Sequence, residues 1–215
     1  ELKKTSTMLA NYNVATSLHV VDIGDKDEID RFHEEVIAQH QKVDLVFNNA
    51  GITVMSEFDN MPEEDWDRVM RVNLDGVINM TRRFLPELKS RPEAALINTS
   101  SIFGMVAVPS QSVYHATKFA VRGFAQSLRE ECAKSSVRVS ILNPGAVRTP
   151  FFDDLNFEPG SSPNNAIEPE DLAEVLLTVL EARPGTIIDE VNLSPVSYTH
   201  LRAHETLRYR VCRLL

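Results

Sequence analysis

Cysteine is scarce in this 215-residue sequence, and long apolar runs are absent from it. Its two cysteines, Cys132 and Cys212, have neither the spacing of a disulfide framework nor that of a metal site, so we expect no metal. No stretch of about 18 apolar residues is present, and no charged-then-apolar leader opens the chain. The sequence therefore predicts neither a membrane span nor a signal peptide, and a reducing cytoplasm is the expected location.

Positive charge is also in short supply. The chain carries 22 Lys and Arg residues against 31 Asp and Glu residues, which gives a formal net charge of −9. Phosphate backbones repel an acidic chain, so nucleic acid is not an expected partner. The apolar fraction of 43% is sufficient for one well-buried domain, and no linker or internal repeat divides the chain.

The main chemical motif is the pair Tyr114 and Lys118. In a helix, residues four apart lie on one face, so the phenol and the ammonium would reach the same target. A phenol with a pKa of about 10 is a weak acid near pH 7, and a nearby ammonium is expected to lower that pKa. The alternative is an amphipathic helix whose tyrosine and lysine merely lie at a surface, because this spacing is common by chance.

Several short apolar segments end in small or polar residues. Apolar, β-branched runs are typical of buried parallel strands, and ligands bind beyond the carboxyl ends of such strands. The predicted strands cover residues 17–21, 43–47, 94–99, 137–142 and 186–193. The first four are followed by Asp22, by Asn48 to Gly51, by Ser100 with Ser101, and by Asn143 to Thr149.

Helical periodicity separates these strands. Helices are predicted over 1–13, 25–40, 62–84 and 168–181, and the helix of Tyr114 is expected to reach about Ala133. Asn73 falls in the middle of the 62–84 helix, and because Asn is a weak helix former its position suggests a function. The alternative is a tolerated polar residue. The alternation of strands and helices predicts an α/β fold with a doubly wound parallel sheet.

Several motifs together resemble the short-chain dehydrogenase/reductase family. They are Asn48-Asn49-Ala50-Gly51, Asn73-Leu74-Asp75-Gly76, Ser101 thirteen residues before Tyr114, and Pro144-Gly145 followed by Thr149. Their order and spacing match the family from about Ser17 to about Pro195. The resemblance implies a Rossmann-like sheet in an NAD(P)-dependent oxidoreductase. Such an enzyme moves a hydride between nicotinamide and a small secondary alcohol or ketone.

The resemblance also assigns catalytic roles to four residues. Tyr114 would exchange a proton with the substrate oxygen, and Ser101 would hydrogen-bond to that oxygen. Ser100 is the neighbouring alternative, which the family spacing disfavours. Lys118 would lower the pKa of the tyrosine and bind the nicotinamide ribose. Asn73 would hold a water in the proton relay behind the lysine, at a local distortion of its helix.

The cofactor, NAD or NADP, would be held at the ends of the strands. Asp22 would bind the adenine amino group, although a helix cap is its alternative role and Asp25 could equally supply that cap. The segment 144–149 would contact the nicotinamide carboxamide and the phosphates. The full set implied by the resemblance is Asp22, Asn48, Ala50, Gly51, Tyr114, Lys118, Pro144, Gly145, Val147 and Thr149.

The substrate and the assembly are less closely defined. Segment 151–167 is expected to form a mobile lid that carries Phe151, Phe152 and Phe157. Surplus apolar faces on the helices over 62–84 and 114–133 predict a homodimer or homotetramer. Two other functions stay open, namely a catalytically silent dinucleotide-binding regulator and a dehydratase or epimerase of the extended relatives.

Both ends of the sequence differ from the family pattern. No glycine-rich turn precedes residues 17–21, so we expect the first two strands of the fold to be missing and the chain by itself to be inactive. Residues 196–206 match one reading frame of a transposase-based sequencing-library adapter at all eleven positions. We therefore expect residues 1–195 to be the family domain and residues 196–215 to be a non-native tail.

Overall fold

A computed structural model describes residues 2–153, 155 and 158–197, so most of the predicted tail lies outside the described residues. Within these ranges four parallel strands form one sheet, in the same order in space as in the sequence. The central pair aligns Thr99 with Leu142, so the carboxyl ends of both strands reach the same edge of the sheet. The strands are β1 (Leu45–Asn48), β2 (Ala94–Thr99), β3 (Val137–Pro144) and β4 (Glu190–Leu193).

Helices connect the strands and pack on the sheet. The helix after residue 25 begins there because the Asp25 carboxylate accepts hydrogen bonds from the backbone N–H groups of Asp27 and Glu28. Pro169 lies in the first turn of the last helix, where a missing N–H costs nothing. The helices are α1 (Leu2–Leu9), α2 (Lys26–His40), α3 (Glu63–Met70), α4 (Gly76–Lys89), α5 (Ser112–Cys132) and α6 (Pro169–Leu180).

Apolar side chains cover β2 and β3 on both faces. One cluster, which includes Leu96 and Val139, packs against residues of α2, α4 and α5. The other, which includes Ile97 and Leu142, packs against residues of α6. Successive residues of a strand point to opposite faces, so neighbouring side chains reach different clusters. This arrangement confirms the predicted α/β fold with a parallel, doubly wound sheet.

The strand predicted over residues 17–21 is not a strand in the structure. Residues 15–22 have no regular secondary structure, and Val20 is 88% exposed. A strand exists only where a neighbour supplies the other half of its hydrogen-bond ladder. The sheet edge is β1, which pairs with β2 alone among the described residues. The composition of residues 17–21 therefore predicted a strand, but no segment among the described residues pairs with it.

Two other predicted elements have different bounds. The helix over 62–84 is interrupted by a π-helical segment, Arg71–Asp75, and then continues as α4 to Lys89. The final strand over 186–193 is limited to Glu190–Leu193, because only these four residues pair with β3. In both cases contacts with distant residues, rather than the local pattern, decide where the element ends.

Two helical glycines make a matched test of packing. A Cβ added at Gly76 in α4 would collide with the Cγ2 atom of Ile23 and lie 2.8 Å from the Ile23 carbonyl oxygen. A Cβ added at the exposed Gly123 in α5 would meet nothing within 4 Å. We expect Gly76→Ala to lower the free energy of unfolding by about 1–3 kcal/mol through overpacking. Gly123→Ala should raise it by about 0.5–1 kcal/mol through helix propensity. Urea unfolding measures both, and equal stabilities would contradict the contact of Ile23 with α4.

Candidate active site

Tyr114 and Lys118 share one face of α5 and are buried at the carboxyl edge of the sheet. The Lys118 Nζ atom lies 5.6 Å from the centroid of the Tyr114 ring. The same atom donates a hydrogen bond of 3.0 Å to the carbonyl oxygen of Thr99, the last residue of β2. The predicted common face is therefore present, and it points at the end of a central strand.

The two serines that follow β2 have different surroundings. The Ser101 hydroxyl faces the Tyr114 phenol, accepts from the Phe103 N–H at 3.1 Å, and donates to the Pro144 carbonyl oxygen at 3.4 Å. The Ser100 hydroxyl instead donates to the backbone carbonyl of Lys118 at 2.9 Å. Ser100 thus joins the end of β2 to α5, and Ser101 is the serine that faces the phenol.

Asn73 lies in the π-helical segment, at the kind of helix distortion that the resemblance implies. Its side chain is 1% exposed and makes two 2.8 Å bonds with Ile52, accepting from the N–H and donating to the carbonyl. Its amide nitrogen also lies 3.2 Å from the Thr117 hydroxyl. The extra residue of a π turn directs this polar side chain inward. Asn73 therefore fixes the loop after β1 against α5.

Gly51 leaves room beside the lysine. A Cβ at this position would lie 3.4 Å from Lys118 Nζ and 3.5 Å from Asn73 Oδ1. The absence of a side chain lets a ligand approach the backbone here, and the preceding Ala50 is exposed at the carboxyl end of β1. This edge fits a dinucleotide that lies across the strand ends.

Asn48 faces the interior and not the edge. Its side-chain nitrogen donates to Asn98 Oδ1 at 2.9 Å and to the Thr81 hydroxyl at 3.2 Å. The amide therefore joins β1 to β2 and to α4. Because the side chain is used in this way, any cofactor contact at Asn48 is left to its backbone.

The segment at the end of β3, residues 144–149, is held beside Ser101 by backbone contacts, and we call it the shelf. The Gly145 N–H donates to the Leu193 carbonyl at 2.8 Å, and Val147 pairs with Ile167 in an isolated parallel bridge. The Thr149 hydroxyl lies 3.5 Å from the Val147 carbonyl oxygen and lines a cavity of about 660 Å³. Pro144, Gly145, Val147 and Thr149 are thus gathered at the same edge of the sheet as Tyr114.

Asp22 and Asp25 have separate roles. Asp25 caps α2, so capping is not the role of Asp22. The Asp22 carboxylate accepts from the Gly24 N–H at 2.8 Å and is exposed. Its binding of an adenine amino group stays a prediction.

The expectation of a lowered pKa for Tyr114 is not met. Burial raises the pKa of Tyr114 to about 12, although the hydrogen bond with Ser101 acts in the opposite direction. Burial also lowers the pKa of Lys118 to about 8. Desolvation penalises the charged form of each group. At pH 7 the phenol is consequently protonated and can act as an acid.

Sequence reasoning missed a network that anchors α5. The Arg122 guanidinium binds the Glu190 carboxylate through two contacts of 2.6 Å and 3.2 Å. The Asn143 side-chain nitrogen donates to the same carboxylate at 2.5 Å. One acidic group thereby joins α5 to the ends of β3 and β4. The sequence feature that could have indicated this network is the position of Arg122, which lies four residues after Lys118 just as Lys118 lies four residues after Tyr114.

One side chain of the predicted lid contacts the site. The Phe151 ring centroid is 6.3 Å from that of Tyr114 and 5.2 Å from that of Phe152. Phe157 lies outside the described residues. An aromatic wall next to the phenol favours a substrate with an apolar group.

The parallel sheet and the polar groups at its carboxyl edge are those of an α/β oxidoreductase that binds a nicotinamide dinucleotide. The chain belongs to the short-chain dehydrogenase family, because the family model described as short chain dehydrogenase matches residues 1–159. Membership confirms the family predicted from the motifs and the predicted class of cofactor, NAD or NADP.

Curated relatives agree with this assignment. The chain is 33% identical over 179 residues to 3-oxoacyl-[acyl-carrier-protein] reductase FabG of Thermotoga maritima, with 80% of this chain and 73% of that protein covered. It is 37% identical over 131 residues to the putative oxidoreductase SadH of Mycobacterium tuberculosis. That match covers 60% of this chain and 48% of SadH, so it spans about half of the relative.

A solved structure has the same fold. The alcohol dehydrogenase of the archaeon Thermococcus sibiricus, complexed with 5-hydroxy-NADP, superposes with a TM-score of 0.82 and 26% identity. The superposition covers 92% of this chain and 82% of that one. Within the described part of this chain, no helix has the length and hydropathy needed to cross a membrane.

Proposed function

We propose that the protein transfers a hydride between NAD or NADP and a secondary alcohol or ketone. The observation that carries this proposal is the grouping of Tyr114, Ser101 and Lys118 at one sheet edge, with the Ser101 hydroxyl facing the phenol. A protonated phenol next to a hydroxyl donor is suited to give a proton to a carbonyl oxygen. The relatives named a ketoreductase and an alcohol dehydrogenase support the same chemistry.

The residues proposed to hold the cofactor lie along this edge. Asp22 would bind the adenine, the backbone from Asn48 through Ala50 to Gly51 would face the ribose, and Lys118 would bind the nicotinamide ribose. The shelf formed by Pro144, Gly145, Val147 and Thr149 would face the nicotinamide carboxamide. Bound NAD(P)H supplies the hydride.

In ketone reduction the protein's own groups handle the proton. The Tyr114 hydroxyl gives its proton to the substrate oxygen, while the Ser101 hydroxyl donates a hydrogen bond to that oxygen. The phenolate that remains belongs to a ring whose centroid lies 5.6 Å from the Lys118 amine, which is cationic below its pKa of about 8. The ammonium then stabilises the new negative charge. Asn73 keeps the loop after β1 in place behind the lysine.

A coenzyme oxidation assay tests this function. The natural protein at its full length is mixed with NADH or NADPH and with a panel of ketones that differ in the size of their apolar group. We expect oxidation of one coenzyme that depends on the ketone, and the reverse reaction with the matching alcohol at higher pH. Binding of the coenzyme without turnover of any ketone or alcohol would contradict the proposal and favour a silent dinucleotide-binding regulator.

We further propose that the protein forms a homodimer or homotetramer. Trp66 of α3 and Phe119 of α5 are 37% and 45% exposed, although both are large and apolar. Other apolar residues of these two helices, including Val69 and Val121, are buried within the subunit. Light scattering should therefore give a dimer or tetramer that Phe119→Glu dissociates. The same change at the exposed Phe58, outside α3 and α5, is the control. A monomer at micromolar concentration would refute the assembly.

A further inference from the structure

A loop of mostly apolar residues, 102–110, connects Ser101 to α5; we call it the site loop. At its start, the Phe103 N–H donates to the Ser101 hydroxyl at 3.1 Å. At its end, the Ser110 carbonyl accepts from the Ser56 N–H at 2.9 Å. Both ends are therefore anchored, and the middle of the loop needs an attachment of its own.

His115 supplies that attachment. Its Nε2 atom accepts a 2.7 Å hydrogen bond from the backbone N–H of Val108. Its ring stacks on the ring of Phe103, with centroids 4.9 Å apart and an interplanar angle of 14°. His115 is 4% exposed and directly follows Tyr114 in α5. One side chain thus connects two points of the site loop to the helix that carries the phenol.

The hydrogen bond from Val108 requires a neutral imidazole ring at His115. Because Nε2 accepts from Val108, the ring proton lies on Nδ1, which is buried and has no hydrogen-bond partner among the described residues. Burial lowers the pKa of His115. The site loop has no ionisable side chain, and the ionisable neighbours on α5 are Tyr114 and Lys118. A cation in the first turn of a helix is disfavoured as well.

We propose that His115 is a positioning residue that fixes the site loop, so that the loop forms an apolar wall that selects the substituents of the ketone. This proposal rests on the proposed function. The loop begins after Ser101 and ends before the helix of Tyr114, so a shift of Val108 changes the space beside both groups. The contacts of Tyr114 and Ser101 with each other do not include His115, so the chemistry itself is retained.

Two substitutions separate the hydrogen bond from the ring. His115→Phe keeps an aromatic ring against Phe103 but cannot accept from Val108. His115→Gln removes the ring but keeps an acceptor at a similar reach. Circular dichroism first establishes that each variant is folded. If His115→Phe does not fold, the glutamine variant and the pH series of the wild type decide the outcome.

Hydrogen exchange measured by mass spectrometry reports on the loop without any need for activity. Loss of a buried acceptor should speed exchange in the peptide over 105–110 by about tenfold or more in His115→Phe, with partial recovery in His115→Gln. Exchange in the rest of α5 should not change. In the wild type, exchange of this peptide, corrected for its intrinsic rate, should rise only at a pH below the ordinary histidine pKa of about 6.5, because burial lowers the pKa of His115 and only a protonated Nε2 cannot accept. Both variants should lack this rise. Equal exchange in the wild type and His115→Phe would overturn the proposal.

Kinetics with graded ketones test the effect on selectivity. In His115→Phe we expect KM for the preferred bulky ketone to rise by about tenfold, while kcat for the smallest ketone stays within about twofold. His115→Gln should restore part of the preference for the bulky ketone over the smallest one. If the site loop exchanges faster in His115→Phe but the preference among the ketones is unchanged, the selective role of the loop is refuted. If the wild type turns over no ketone while the exchange results are as expected, the proposed function fails and the positioning by His115 stands.

Discussion

Tyr114→Phe is expected to lower kcat/KM for ketone reduction by at least about 10², because it removes the proton donor and little else. The phenol is buried and faces the Ser101 hydroxyl, so the substitution deletes one oxygen from a packed site. The free energy of unfolding should change by only about 1 kcal/mol, the net worth of one hydrogen bond. Affinity for the coenzyme, measured by nicotinamide fluorescence, should be retained.

Tyr12→Phe provides the matched control for this experiment. Tyr12 is an exposed tyrosine outside the site, so loss of its hydroxyl should leave both activity and coenzyme binding unchanged. Turnover of Tyr114→Phe at a rate close to that of the wild type would show that another group donates the proton. A loss of coenzyme binding together with activity would instead show a structural role for the phenol.

Lys118→Met is expected to abolish most of the activity and to make the protein more stable. Burial lowers the pKa of Lys118 from 10.5 to about 8, which means that the folded protein holds the ammonium at a cost. At about 1.4 kcal/mol for each pKa unit, the cost is at most about 3–4 kcal/mol, and the lost bond to Thr99 offsets part of it. For a protein of this size we expect Tm to rise by about 2–8 °C.

The stability gain of Lys118→Met should depend on pH. Between pH 8 and 10.5 the unfolded lysine holds its proton and the folded one has lost it, so the wild type becomes more stable as the pH rises. The advantage of the methionine variant is therefore greatest below about pH 8 and shrinks toward pH 10.5.

Thermal unfolding across this pH range measures the stability difference, and the same substitution at the exposed Lys134 is the control. A variant less stable than the wild type at pH 7 would show that the lysine stabilises the fold. Such a result would contradict a site in which stability is given up for activity.

Properties that depend on nearby residues were predictable from the sequence. The common face of Tyr114 and Lys118 follows from a spacing of four in a helix, and the cap of α2 follows from Asp25. The alternation of apolar strands with amphipathic helices predicted the parallel α/β sheet, because one face of each helix must be covered. The order of the family motifs predicted the family itself.

Properties that depend on distant residues were settled only by the tertiary structure. The pattern over 17–21 predicted a strand, but pairing needs a second segment and the described residues supply none. The partly buried network of Arg122 with Glu190 joins residues 68 positions apart, and no local pattern connects them. Burial also reversed the expected shift in the pKa of Tyr114, because the desolvation of a phenol depends on all the groups packed around it. The sequence alone determined which residues have the chemistry, whereas tertiary packing decided how they are oriented and charged, since both depend on contacts between segments far apart in the chain.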